Sequence, residues 1–75
     1  MDKSQRTRAY ANAITQLALI RAKEEEYYFL AENTNDEKRK EKYLDNAMAL
    51  GDQWINLSAQ INILLSEMVK DIINH

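Results

Sequence analysis

Cysteine and proline are both absent from this 75-residue chain, glycine occurs once, at Gly51, and histidine once, at His75. Without cysteine there is no disulfide and no thiolate metal site. With no proline and one glycine, nearly every residue that breaks helices or makes tight hairpin turns is missing, which excludes a strand-rich fold and leaves an all-α one. A histidine confined to the last position cannot activate an internal serine or threonine, so the usual nucleophile and base pairing is missing. No Glu-x-x-His spacing of the di-metal helix bundles occurs, nor any glycine-rich phosphate loop. These absences together predict a protein that is not an enzyme and needs no metal or cofactor.

Long apolar runs are missing too. No stretch approaches 18 consecutive apolar residues, so no membrane partner is expected, and the opening Met1-Asp2-Lys3-Ser4-Gln5-Arg6 has no apolar signal core behind it. A cytoplasmic location is the expectation. A formal charge of -2 supplies no global attraction to phosphate backbones, which disfavours nucleic acid as a partner.

What is present is an ordinary globular balance, 45% hydrophobic and 29% charged, which argues against disorder. Residues 1–75 make a single domain. A chain this short buries only about 60–65% of its unfolded surface, and with disulfides and metals excluded, association is the remaining source of extra stability.

The clearest punctuation is Asn33-Thr34-Asn35-Asp36, a polar cluster between two periodic segments. It predicts an antiparallel helical hairpin with one helix over 3–32, a turn at 33–35 and a second helix over 36–74. Thr34 with Glu37 matches a capping box, and Asn33 is suited to a left-handed helix end. A turn centred between Thr34 and Asn35 sets Lys3 beside Ser66, so Met68, Val69, Ile72 and Ile73 are expected to overhang the first helix. Gly51 predicts close packing or a kink within the second helix; the alternative is three helices with a break there and Asp52 as a cap.

Two apolar rows run along the second helix. Leu50, Trp54, Leu57, Ile61, Leu64 and Met68 alternate at spacings of four and three, and Leu44, Met48, Ile55, Leu65, Val69 and Ile72 form a second row beside them. One neighbouring helix cannot cover both, which predicts pairing of hairpins into a four-helix bundle or larger homo-oligomer, a dimer or higher, through Leu57, Ile61, Leu64, Leu65, Met68, Val69 and Ile72.

On the first helix, Tyr10, Ala13, Ile14, Leu17 and Ile20 form a core face. It is interrupted at Lys23-Glu24-Glu25-Glu26, which puts charge on every side of one turn before Tyr27, Tyr28, Phe29 and Leu30 resume the apolar character. A buried unpaired carboxylate is costly, so these glutamates must reach solvent, pair with cations or serve a ligand. In the simple register they lie near Lys42 and Asp45, with Lys38, Arg39 and Lys40 beyond, which predicts an interhelical salt-bridge layer. Phenol rings beside cations are also a surface for a planar anion or a partner protein, making Tyr10, Lys23, Tyr27, Tyr28, Arg39 and Tyr43 the candidate contacts.

The segment Leu44-Asp45-Asn46-Ala47-Met48, opening the second helix after a polar turn and a Lys/Arg-containing stretch, resembles the helical-hairpin domain of phage anti-defence proteins that sequester cyclic nucleotide signals. The resemblance covers these five residues. It implies small helical protomers assembled into oligomers, with a small anionic nucleotide held between subunits by tyrosines and Lys or Arg. Two functions are therefore expected: a non-enzymatic regulator or inhibitor, of phage or mobile-element type, working through protein–protein contacts; or alternatively a sponge for a cyclic nucleotide.

Overall fold

The computed structural model describes residues 2–74; Met1 and His75 lie outside the described residues. Two helices account for almost all of them, α1 over Lys3–Asn33 and α2 over Glu37–Ile73, packed antiparallel as a hairpin.

Each helix start is secured by an aspartate. Asp2 accepts a hydrogen bond from the Gln5 backbone N–H at 2.8 Å, and the Gln5 side chain accepts one from the Asp2 N–H at 3.2 Å, a reciprocal capping box. Asp36 accepts from Lys38 N at 3.0 Å and Arg39 N at 3.3 Å. The cap expected at Thr34 therefore belongs to Asp36, whose negative charge suits the positive helix end better than a hydroxyl. Thr34 is instead the extended residue closing α1, and its Oγ1 accepts from Asp36 N at 3.2 Å, which shapes the turn. Asn33 is not left-handed: no described residue other than glycine has a positive φ, and Asn33 ends α1 in helical geometry with its Nδ2 donating to Phe29 O at 2.7 Å.

The break at Gly51 does not occur, and α2 runs through it as one helix. The half-buried and buried positions form matching stripes. On α1 they include Arg6, Tyr10, Ala13, Leu17, Ile20, Glu24, Tyr27 and Ala31, and on α2 Tyr43, Ala47, Leu50, Trp54, Leu57, Ile61, Leu64 and Met68. Both alternate spacings of four and three, the seam of an antiparallel coiled coil. Small residues take the tightest places: Ala47 is wholly inaccessible and Ala31 and Ala13 nearly so, while Ile61 is the one large apolar side chain buried among the described residues.

The predicted overhang is also overturned. The Arg6 guanidinium pairs with the Asp71 carboxylate, donates to Glu67 O at 3.4 Å and stands 3.7 Å from the Glu67 carboxylate. Lys3, Arg6 and Thr7 line one surface depression with Met68, Asp71 and Ile72, so α1 reaches within a turn of the end of α2. Counting residues from the turn misplaced this end because register is set by how the side chains interlock. The interlock is displaced by more than a helical turn from a tight-turn count, as Glu24 lies against Gly51 rather than Asp45.

The result is a rod of 58 × 16 × 15 Å with a radius of gyration of 17.0 Å, where a compact domain of this length has about 11 Å. Arg6 is the clasp at its open end. Replacing Arg6 with alanine is expected to cost about 0.5–1 kcal/mol, because the pairs it makes are partly exposed. Amide exchange should quicken in the first turns of α1 and the last of α2 while the loop end keeps its protection.

Candidate functional site

The middle of the rod holds the least ordinary chemistry. Glu24 occupies a seam position and is only 7% exposed, the one buried charged residue among those described. It fits because α2 presents Gly51 there: a Cβ at that position would stand 3.1 Å from Glu24 Oε2. The other oxygen, Oε1, accepts from Arg21 Nη1 at 2.7 Å, an ion pair one turn apart on the same helix. Arg21 in turn lies over the Trp54 ring at 5.9 Å, so its cation is held between a carboxylate and an indole face.

The interhelical salt-bridge layer expected around this turn is replaced by local pairs. Glu24 takes Arg21, and Arg39 takes its own cap residue Asp36 at 3.9 Å. Lys23, Glu25 and Glu26 are exposed. The charged turn therefore does not break the seam; one of its glutamates joins it.

The candidate ligand contacts do not converge. Tyr27 and Tyr43 meet across the hairpin with ring centroids 6.3 Å apart and planes tilted by 33°. Tyr10 is half-buried in the seam, some 17 residues before Tyr27, which is roughly 25 Å along a helix. Lys23 lines an open groove of about 480 Å³ with Gln16, Leu19, Ile20, Leu50 and Gln53, on the opposite flank from Tyr28. No group of three or more His, Cys, Asp or Glu able to hold a metal is found among the described residues, and no helix there is long and apolar enough to cross a membrane.

The α2 residues expected at an interface divide into two sets. Leu57, Ile61, Leu64 and Met68 belong to the seam and are buried or half-buried within the hairpin. Leu65, Val69 and Ile72 belong to the outer row with Leu44, Met48 and Ile55, and all of these except Leu44 are exposed, Met48 at 64% and Ile72 at 75%. Gly51, Ser58 and Asn62 fill the positions between them, so the row from Leu44 to Ile72 carries no charge. Ile14 and Ala18 extend the face onto α1, lining a shallow depression with Leu17, Arg21 and Trp54. The opposite flank of α2 carries Lys42, Asn46, Gln53, Asn56, Gln60, Glu67 and Lys70 at the equivalent positions, together with Ala49 and the exposed Ile63. That flank is the more polar of the two along α2. The sequence showed the two rows; it did not show that the first is consumed inside one hairpin.

Compared with protein families, curated proteins and solved structures, the chain matches none. Within the Leu44–Met48 segment, Ala47 is buried in the seam while Leu44 and Met48 lie on the outer row.

Gly51 and Glu24 should be energetically coupled. Alanine is favoured over glycine in a helix interior by about 1 kcal/mol, but here its methyl group would press on the carboxylate. Gly51→Ala is expected to raise stability by less than that in the native chain and by the full amount in a Glu24→Ala background. Urea denaturation of the four proteins of this cycle measures the difference.

Proposed function

We propose that the protein is a non-enzymatic, homo-oligomeric helical module that works through protein–protein contacts, with the outer face of α2 as its association surface. The observation that carries this reading is the row from Leu44 to Ile72, uncharged and mostly exposed. The accessible surface of the hairpin is 5946 Å², about a quarter above the ~4,800 Å² of a compact chain of this mass. An exposed, uncharged row of this length is the kind of surface that a partner covers.

Scatter among Tyr10, Lys23, Tyr28 and Arg39 favours protein contact over nucleotide sequestration, because within one hairpin these groups lie at different levels and on different flanks of the rod. The local partners of Arg21 and Arg39 are a further support, since both cations are already engaged by carboxylates of their own helix. A regulator or inhibitor that assembles first and then presents a composite surface fits this distribution.

Light scattering at micromolar concentration should return a mass above that of one chain. Leu65→Lys combined with Val69→Lys should reduce it to the monomer while far-ultraviolet circular dichroism remains helical, and the exposed Asp52→Lys on the outward side should leave it unchanged. A native protein that scatters as a monomer would remove the basis of the proposal.

A further inference from the structure

Two stretches of the chain carry no charge on any side of their helix. Neither Ala9 to Ile20 of α1 nor Gln53 to Ser66 of α2 contains an acid or a base, and all ten basic and twelve acidic residues lie outside them. Folding brings the two to one level. Arg21, just past the first stretch, lies over Trp54, and near its other end the Arg6 guanidinium stands 3.7 Å from the Glu67 carboxylate. In the tight-turn register Leu17 would stand beside Asp52, and the stretches would coincide only in part. The hairpin therefore carries an uncharged belt round its whole girth, with a charged collar at each end.

The belt is larger than one partner needs. Twelve helical residues span about 18 Å of the 58 Å rod, and the same share of its 5946 Å² surface is on the order of 1,800 Å². A standard interface takes about 800 Å² from each side, so the belt offers roughly twice what a single contact covers. Depletion of charge marks the enclosed part of an interface. We infer that copies of this chain cover the belt on both flanks, the outer-row flank of one against the opposite, amide-bearing flank of the next, so that each hairpin inside the assembly has two neighbours. The inference rests on the self-association proposed above and adds a second contact surface.

The chain supplies both sides of such a contact. On the outer-row flank the belt shows Ile14, Ile55 and Leu65, 40%, 61% and 43% exposed. On the other it shows Leu19 and Ile63, 63% and 61% exposed, among the exposed amides of Asn12, Gln16, Asn56 and Gln60. Apolar groups and neutral amides, which both donate and accept, meet without burying an unpaired charge. The collars decide which flank meets which. At the loop end, Glu25 and Glu32 follow the seam residues Glu24 and Ala31 and so border the outer-row flank, whereas Lys23 and Lys42, with the single acid Glu26, border the other. With loops at the same end, outer row on outer row sets glutamates against glutamates, and outer row on the amide-bearing flank sets them beside lysines.

Charging either flank should break every contact. Leu65→Lys with Val69→Lys disables the outer-row flank and Leu19→Lys with Ile63→Lys the other, and each variant should scatter light as a single chain. Mixed in equal amounts, the two retain one complementary flank each and should give a mass of two chains, where the native protein gives at least three. Phe29→Lys, at a residue 62% exposed but outside the belt, should keep the native mass; its dissociation would overturn the role of the belt. A native dimer, or a Leu19 and Ile63 variant of native mass, overturns the second surface and leaves self-association standing. Variants that fail to pair on mixing overturn the flank-to-flank contact, and a native monomer overturns both readings. Circular dichroism confirms that each variant is helical, and Gln16→Glu with Gln60→Glu, which adds charge at constant size, takes the place of the lysine pair if that pair unfolds.

Discussion

The packing of Glu24 against Gly51 is the constraint on which the molecule depends, because the missing side chain makes room for a glutamate in what would otherwise be an apolar seam. A hairpin has only one internal seam, and every seam position matters when Ile61 is the sole large apolar residue buried among those described. Glu24 takes one of those positions without leaving an isolated charge, since Arg21 donates to it at 2.7 Å. Arg21 can do so from the same helix because residues three apart share a face. Trp54 then lies under the guanidinium and shields the pair from one side. The arrangement links both helices without a direct ion pair between them at that level, and its geometry depends on a glycine that helix propensity alone would disfavour.

From that seam the rest of the shape follows. Two helices of 31 and 37 residues in contact along one line form a rod, and a rod exposes more surface per residue than a sphere. The second helix has apolar residues on a wider arc than one neighbour can cover. Its inner row is used against α1, and its outer row is left at the surface. Since the outer row contains no charged residue between Leu44 and Ile72, solvation by flexible lysines or glutamates does not explain it.

The hairpin was legible in the sequence because its determinants are local. Asn33 to Asp36 is the clearest polar break between periodic segments, and the absence of proline allows each side of it to run on as helix. The two rows of α2 were legible for the same reason, as period is a property of one segment. What could not be read depends on contact between segments. The use of the inner row inside one hairpin, the burial of Glu24 and the reach of α1 to Asp71 all follow from a register that side-chain interlocking sets. In that register a glutamate meets a glycine far along the chain, and nothing near Glu24 in sequence announces it. The cap differs for a smaller reason: Thr34 and Asp36 are both good cap residues, and which of them caps depends on where the chain turns. Asp2 with Gln5 is a local signal of the same kind at the start of α1.

Gly51 shows how a residue that helix propensity disfavours can be the better choice in its place. A Cβ there would stand 3.1 Å from Glu24 Oε2, so any larger residue presses on a carboxylate that is buried and paired with Arg21. The helix gives up about 1 kcal/mol of propensity at that position, and in return the one buried charge among the described residues keeps its space and its partner. Gly51 is therefore set by a residue of the other helix, which is why its neighbours in sequence do not explain it.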